Sequence, residues 1–370
     1  MGASIGTGGG VVGVPVAVGG SSAATQGIAL RQPAWRITIR GRDVTHDLTP
    51  MLLSVAYADH RHGQADEIEV QLEDTDGRWR TTWWPDKGDR VACWIGYDGA
   101  PLLPCGDFEI DDVESSGQPD VCRFRALAAG ITPALRTKRS RAFENQTLRQ
   151  IATKVAAANG LTVLGEIEDV RLTRVTQHDE DDLAFLTRLA EAHDHVFSVR
   201  GEQLVFYNIA ALVLRAPQRT LTPGDVGRYR FRAATALTYK SCDVAYFDPR
   251  TKALHHATID DPDVVKGDTL AIKPRVESEA EATARARAAL ARANRRQVTG
   301  HLELEGDPTC VAGVTIAASG WGQYDRNFQV EASRHAVDRV AGYTTSIELA
   351  EVGGVLVRAK TRDVSGRFTS

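Results

Sequence analysis

Residues 67–73 read Glu-Ile-Glu-Val-Gln-Leu-Glu. Ile68, Val70 and Leu72 alternate strictly with Glu67, Glu69, Gln71 and Glu73. A period of two puts the apolar side chains on one face of an extended strand and the polar ones on the other. The stretch therefore predicts a strand with one side buried and one side wet. The same pattern spreads outward: Trp35, Ile37 and Ile39 before it, Val91, Cys93, Ile95 and Tyr97 after it, then Phe108 and Ile110, then Cys122, Phe124 and Ala126. Turn signals separate the runs at Asp76-Gly77, Lys87-Gly88-Asp89, Asp98-Gly99 and Ser116-Gly117. Short alternating strands at this spacing predict a sandwich or barrel over residues 33–133.

The period then changes. Leu148, Ile151, Ala152, Val155 and Ala156 follow helical spacing, with Asn145 as the expected cap and Asn159-Gly160 as the expected stop. A second helix is expected from Asp179 to Ala192, with Asp179 at its cap and Glu180, Asp181 and Asp182 in its first turn. Strands follow at 196–200 and 204–207 around a Gly201 turn. A third helix is expected from Ser278 to Asn294, opened by a Ser278/Glu281 capping box. Its Ala-rich body suits close approach to a sheet. Strands recur at 298–305, 314–318, 328–337 and 343–349.

The expected organisation is a flexible Gly-rich arm (1–30), a first β-barrel (31–135), an α+β insert (136–215), a second β-barrel with one helix (216–350) and a polar tail (351–370). The fold class is mainly β with an α+β insert. A duplicated barrel is suggested by architecture alone, since the two β-regions share no clear sequence repeat. The arm holds nine glycines in its first 27 residues and no basic residue before Arg31. Such a segment cannot offset its own ordering entropy. It reads as disordered, or as an arm that orders against a partner subunit.

Composition sets the outer bounds. The chain has 370 residues, 42% hydrophobic and 25% charged, which suits two or three globular domains. A net charge of −4 disfavours a protein that grips nucleic acid with its whole surface. The five cysteines, Cys93, Cys105, Cys122, Cys242 and Cys310, are odd in number and widely spaced. They read as single buried thiols in a reducing compartment. No run approaches the length of a membrane span, and no basic residue precedes the apolar 11–18 stretch as in a secretory signal.

Searches for chemistry return no catalytic, cofactor-binding or metal-ligating residues, and no cofactor is expected. There is no phosphate loop, no HExxH and no GxSxG; Ser319 lacks the first glycine of that elbow. The 73–77 run Glu-Asp-Thr-Asp-Gly hints at a calcium loop, but Pro85 stands where its closing Glu belongs, so it reads as a tight acidic turn. His60/His62, His193/His195 and His255/His256 do not converge in sequence on a metal site. Cys105 is the one loop-like thiol, without an evident base. Arg136, Lys138, Arg139 and Arg141 read as a solvated linker, lacking the aromatics of a single-strand binder.

Several stretches together carry a resemblance: 88–91 with 95–97, 106–112 (Gly-Asp-Phe-Glu-Ile-Asp-Asp), 145–152 with 159–161, Gln177 to Ala190 followed by 201–206, and 306–308, Gly313, 330–335 and 342–345. In order and spacing, across residues 33–350, they resemble the phage late control protein D family. These are baseplate hubs of contractile tails, similar to the N-terminal part of type VI secretion spike proteins. The resemblance implies a homotrimeric virion protein without enzymatic activity, assembled in the host cytoplasm. Each subunit would supply two tail-tube-like barrels to a pseudo-sixfold ring between a hexameric tube and a trimeric central spike. It implies as partners the spike, the tail tube or tube-initiator protein, baseplate wedge proteins and the tape-measure protein, with DNA only as transient cargo. Mild acidity suits a channel that does not hold that cargo. No spike domain is expected after residue 350, so the spike would be a separate protein. Alternatives are the hub of a tailocin or extracellular injection system, or a tail-associated peptidoglycan hydrolase.

Overall fold

The computed structural model describes residues 31–130, 134–213, 215–234, 238–248, 252–262, 264, 266–274, 276, 278–295, 297–352, 358–362 and 368–369. The chain divides into two units, Met1–Arg31 and Gln32–Ser370. The expected Gly-rich arm at 1–30 lies outside the described residues.

The fold is mainly β, as its alternation predicts. Thirteen strands form one sheet that runs through both β-regions. Its first half follows the order Leu52–His60, Glu67–Glu73, Val121–Ala128, Leu103–Ser116, Arg90–Tyr97, Pro33–Ile39. The second half follows Val226–Ala233, Val298–Glu305, Gly342–Glu351, Arg326–Asp338, Thr315–Ala318, Arg219–Leu221. Taken in chain order, these are the same path. The first strand of each half breaks it in direction only: Pro33–Ile39 is antiparallel to its neighbour, whereas Arg219–Leu221 is parallel. Even the irregularities coincide. The long strand of each half carries a bulge, at Asp111 between Ile110 and Asp112 and at Glu331 between Val330 and Ala332. The second strand of each half also carries one, between Leu52 and Ser54 and between Val226 and Arg228. The repeat that side chains do not reveal is thus present in the hydrogen-bond register.

Each half has its own core. Ile37, Val55, Ile68, Val70, Ile95, Phe108 and Phe124 fill the first; Leu302, Ile316, Phe328, Val330, Ile347 and Leu349 fill the second. The halves join where Ala332–Asp338 pairs antiparallel with Ser54–His60. Val337 and Tyr343, from second-half strands, are therefore buried in the first core.

Between the halves, the insert packs Leu148–Ala158 and Asp182–Ala192 against two small sheets around Phe143, Leu148, Ile151, Phe185, Leu189, Leu204 and Phe206. Its helices start two residues later than expected. Thr147 caps the first, in a reciprocal capping box with Gln150, and Asp181 caps the second by accepting from the Ala184 N–H at 2.7 Å. Asn145 and Asp179 instead adopt positive φ (50° and 47°), a conformation their short polar side chains tolerate, and the strands before each helix run past them. Half of the basic run is not linker: Arg139 and Arg141 lie in the strand Arg139–Thr147, paired with Arg171–Glu180, while Arg136 and Lys138 are exposed in the turn before it.

The helix Glu279–Asn294 is capped by Ser278, whose side chain accepts from the Glu281 N–H. It does not lie on the thirteen-stranded sheet, where it was expected. Ala282, Ala286 and Leu290 pack on a separate sheet through Cys242, Val244, Ala257 and Ile259. That sheet orders Asp268–Ile272, Tyr239–Asp248, Ala253–Asp260, Arg358–Arg362 and Phe368–Thr369. Small side chains on the helix allow close approach, and three of the sheet's five strands come from the long connection at 234–297. Part of the expected polar tail is thus an added strand: Arg358–Arg362 pairs with Asp260–Ala257.

Candidate functional site

Four packed bodies meet around the turn at residues 59–66, which continues the Leu52–His60 strand. Asp59 is 1% exposed, yet it is a carboxylate. Burial of that charge is tolerated because Oδ1 accepts from Arg200 Nη2 at 2.6 Å and Oδ2 accepts from the Ala312 N–H at 2.8 Å. One oxygen reaches the insert and the other the second half. Arg61 donates Nε to Glu331 Oε2 at 3.1 Å and also hydrogen-bonds Gln329, again across to the second half. His62 Nδ1 accepts from the Phe197 N–H at 3.0 Å. Asp66 holds the turn itself, accepting from the His60 N–H at 3.0 Å.

The insert reaches the third helix as well. Arg295 makes a two-pronged contact with Asp194 at 2.8 and 2.9 Å, and Arg292 meets Glu191 at 2.8 Å. A polar cleft of about 640 Å³ lies among these groups, lined by Arg61, His62, Asp194, Arg232, Arg295 and Glu331 among others.

Electrostatics here follow burial. Burial pushes the Asp59 carboxyl up, and Arg200 opposes it. Asp66 is pushed up to about 7, first by burial and then by repulsion from Asp59. Burial lowers His62 despite the carboxylate of Glu191 beside it. These groups are joined to one another in pairs. That arrangement clamps segments together.

Of the residues singled out in the sequence, His60, His62 and His195 line this cleft; the others lie elsewhere, and the set does not converge on one centre. Among the described residues no group of three or more His, Cys, Asp or Glu is placed to hold a metal ion. All five cysteines are buried and free, and Cys105, beside Cys93, has its thiol pushed far up by that neighbour and by burial. Asp74 is buried within its turn, accepting from the Trp79 N–H at 2.9 Å and pairing with Arg80 at 3.0 Å. Ser319 donates its backbone N–H to Leu221. His193 caps the end of a helix and burial lowers it to about 3; His195 begins the next strand.

The stretch Gln177 to Ala190 does have a physical role. Asp182 is fully buried; Arg141 and Gln177 meet its Oδ1, and Asn159 donates to its Oδ2 at 2.9 Å. The carboxylate joins both helices of the insert to the strand pair, and the basic run supplies its counter-charge.

The joint from the first half into the insert is close. A Cβ on Gly130 would lie 2.1 Å from the Gly201 carbonyl oxygen and 2.8 Å from a methyl of Val199. The hairpin carrying Arg200 therefore sits directly against the exit of the first half.

With this geometry, the chain compares with known proteins as follows. Residues 110–341, more than half of the chain, match the family described as phage tail baseplate hub (GPD). Probable baseplate hub proteins of Escherichia phages 186 and P2 are each 30% identical over 213 residues, 56% of this chain and 54% of theirs. The chain thus spans about half the length of these curated relatives. Among solved structures, the 43 kDa tail protein of prophage MuSo2 from Shewanella oneidensis is similar at 16% identity and TM-score 0.67, over 86% of this chain and 98% of that one. A tail protein from Neisseria meningitidis MC58 gives 14% and 0.66, over 86% and 97%. The E. coli c3393 protein, a type VI secretion component, gives 14% and 0.55, over 87% and 78%.

Proposed function

Since this chain belongs to the phage tail baseplate hub family, we propose that it is the homotrimeric hub of a contractile tail, fitting a hexameric tail tube to a trimeric central spike. The observation that carries this reading is the repeated strand order of the two halves, with bulges at matching positions. A chain with two equivalent halves offers six similar sheet units when three copies assemble. It offers only three copies of everything else. Such an object suits a sixfold partner on one side and a threefold partner on the other. The clamp at residues 59–66 supports the same reading, because it fixes the halves and the insert as one unit able to bear load.

In this reading the work is architectural and no catalytic step is assigned. The hub binds the spike, the tail tube or tube-initiator protein and wedge proteins. It lines part of a channel through which tape-measure protein and DNA pass. It is assembled in the host cytoplasm and ends in the tail baseplate of the virion.

The test is the mass of the purified protein, alone and with the adjacent spike protein. Three copies per complex with the spike is the expected result. A monomer under every condition, without spike binding, overturns the reading. A zymogram against cell walls checks the non-catalytic part, and clear lysis would sink it.

A further inference from the structure

Among the open strand edges of the described residues, two are related by the repeat. The Val226–Ala233 strand ends the thirteen-stranded path, pairing only with Val298–Glu305 among the described residues. The Leu103–Ser116 strand is covered by Arg90–Tyr97 only as far as Glu109, and the Gly88 N–H to Ile110 carbonyl bond ends that side. From Asp111 to Ser116, one edge faces no strand among the described residues. Open edges of this kind are templates for pairing with another chain.

The fold itself shows what such edges do. In the second half, the equivalent long strand is also covered only at its start, where Arg326–Gln329 pairs with Thr315–Ala318. Beyond its bulge, Ala332–Asp338 pairs with Ser54–His60 of the first half. By register, Ala332 corresponds to Asp112 and Arg334 to Glu114, because both sets follow the matching bulges. Ala58 corresponds to Arg232 and Tyr57 to Phe231 by the same rule. One junction of this type is made within the chain. Its counterpart has both edges present and no partner among the described residues.

We propose that residues 111–116 of one copy pair antiparallel with the Val226–Ala233 edge of a second copy of this chain, repeating the register of the internal junction. The internal pair Arg334–Ala58 then becomes Glu114 opposite Arg232, and Ala336–Ala56 becomes Ser116 opposite Arg230. Asp112, Glu114 and Ser116 share one face of their strand, as Arg228, Arg230 and Arg232 share one face of theirs. Glu114 therefore lies directly opposite Arg232 and diagonal to Arg230, and Asp112 lies diagonal to Arg232.

Charge supports the choice of occupant. Arg228, Arg230 and Arg232 are exposed, and Arg230 and Arg232 make no ion pair among the described residues. Asp111, Asp112 and Glu114 are exposed too; Glu114 meets Arg123 and Asp111 lies 3.6 Å from Arg125 on the neighbouring strand, while Asp112 makes no ion pair among the described residues. Three arginines in alternation oppose pairing of this edge with itself and favour an acidic strand. The two edges differ, so each copy gives one and receives the other, and such heterologous contacts form a ring when the rotation between copies closes. This inference rests on the ring reading and assigns its contact.

The test uses full-length chains with single cysteines, Glu114→Cys in one and Arg232→Cys in another. The native thiols are all buried and do not compete. Mixing the two under mild oxidation, or with a short bis-maleimide, should give a covalent heterodimer that neither gives alone. A Val340→Cys chain, whose site is 94% exposed, is the control and should not cross-link to either. Separately, Glu114→Arg and Arg232→Glu should each weaken self-association tenfold or more at unchanged thermal midpoint, and the double exchange should restore it. Oligomers of wild type without the 114–232 cross-link, or insensitive to both charge reversals, overturn this contact and leave the hub reading standing. A wild type that never self-associates, with or without spike, overturns both.

Discussion

Asp59 Oδ1 lies 2.6 Å from Arg200 Nη2, joining the first half of the large sheet to the tip of a hairpin 141 residues later in the chain. The same carboxylate holds the Ala312 N–H of the second half. A single buried side chain thus ties three bodies, and its loss is felt in all of them.

Arg200→Ala leaves the Asp59 carboxylate buried with one partner removed. Stability should fall by about 2 kcal/mol, less than for a fully buried pair because Arg200 is itself partly exposed. Adding Asp59→Asn should recover part of that loss. Urea unfolding of the single and double variants checks both, and additive losses would show that the two residues do not act as a pair.

Asp66, pushed up to about 7, holds its proton more tightly folded than unfolded. Its contribution is therefore complete at pH below about 4 and is lost as pH rises towards 7, by at most about 1.4 kcal/mol per pH unit. His335, lowered to about 4 by burial, acts with the opposite sign, losing stability as pH falls below its ordinary range. Asp66→Asn should remove only the first effect. The difference in unfolding free energy between variant and wild type, measured from pH 4.5 to 7.5, should slope; a flat difference contradicts the assignment.

Gly130→Ala should destabilise by 2 kcal/mol or more, to order of magnitude, because the added methyl meets backbone at Gly201. Gly224→Ala, where the nearest atom is a side-chain oxygen at 3.8 Å, should cost far less. Thermal midpoints of the two variants separate the steric effect from the general cost of losing a glycine.

Asp182→Ala leaves Arg141, Gln177 and Asn159 without their shared acceptor. About 3 kcal/mol should be lost, to order of magnitude, concentrated in the insert. Hydrogen exchange should show both insert helices deprotected, with the Glu67–Glu73 strand little changed. Uniform deprotection would show that the network stabilises the whole chain equally.

Much of the strand content is legible in sequence because one wet face and one dry face leave a period of two, as at residues 67–73. Helix positions are legible to within a turn. Their caps are displaced because Asn145 and Asp179 have capping chemistry but serve as left-handed bends, a backbone choice that residue type does not fix. The duplication is hidden for a related reason. Its equivalent positions, Glu114 and Arg334 or Arg232 and Ala58, share no chemistry, and bulges and register belong to the main chain. The clamp was missed because its members lie far apart in sequence: Arg61 and Glu331 are 270 residues from one another. Gln177 and Asp182 stand in a stretch that carries the family resemblance, but only their burial reveals what they hold.

The two halves differ most at one hairpin. Between its second and third strands the first half needs only the turn at 61–66, whereas the second half carries a helix and a further sheet at 234–297. Around a ring of alternating halves, every other station would therefore carry this helix and sheet, while its neighbours would carry the insert packed on a short turn. A mating surface could then engage in three orientations and never in six, so indexing of the assembly would be set by shape at its rim, independently of any charge.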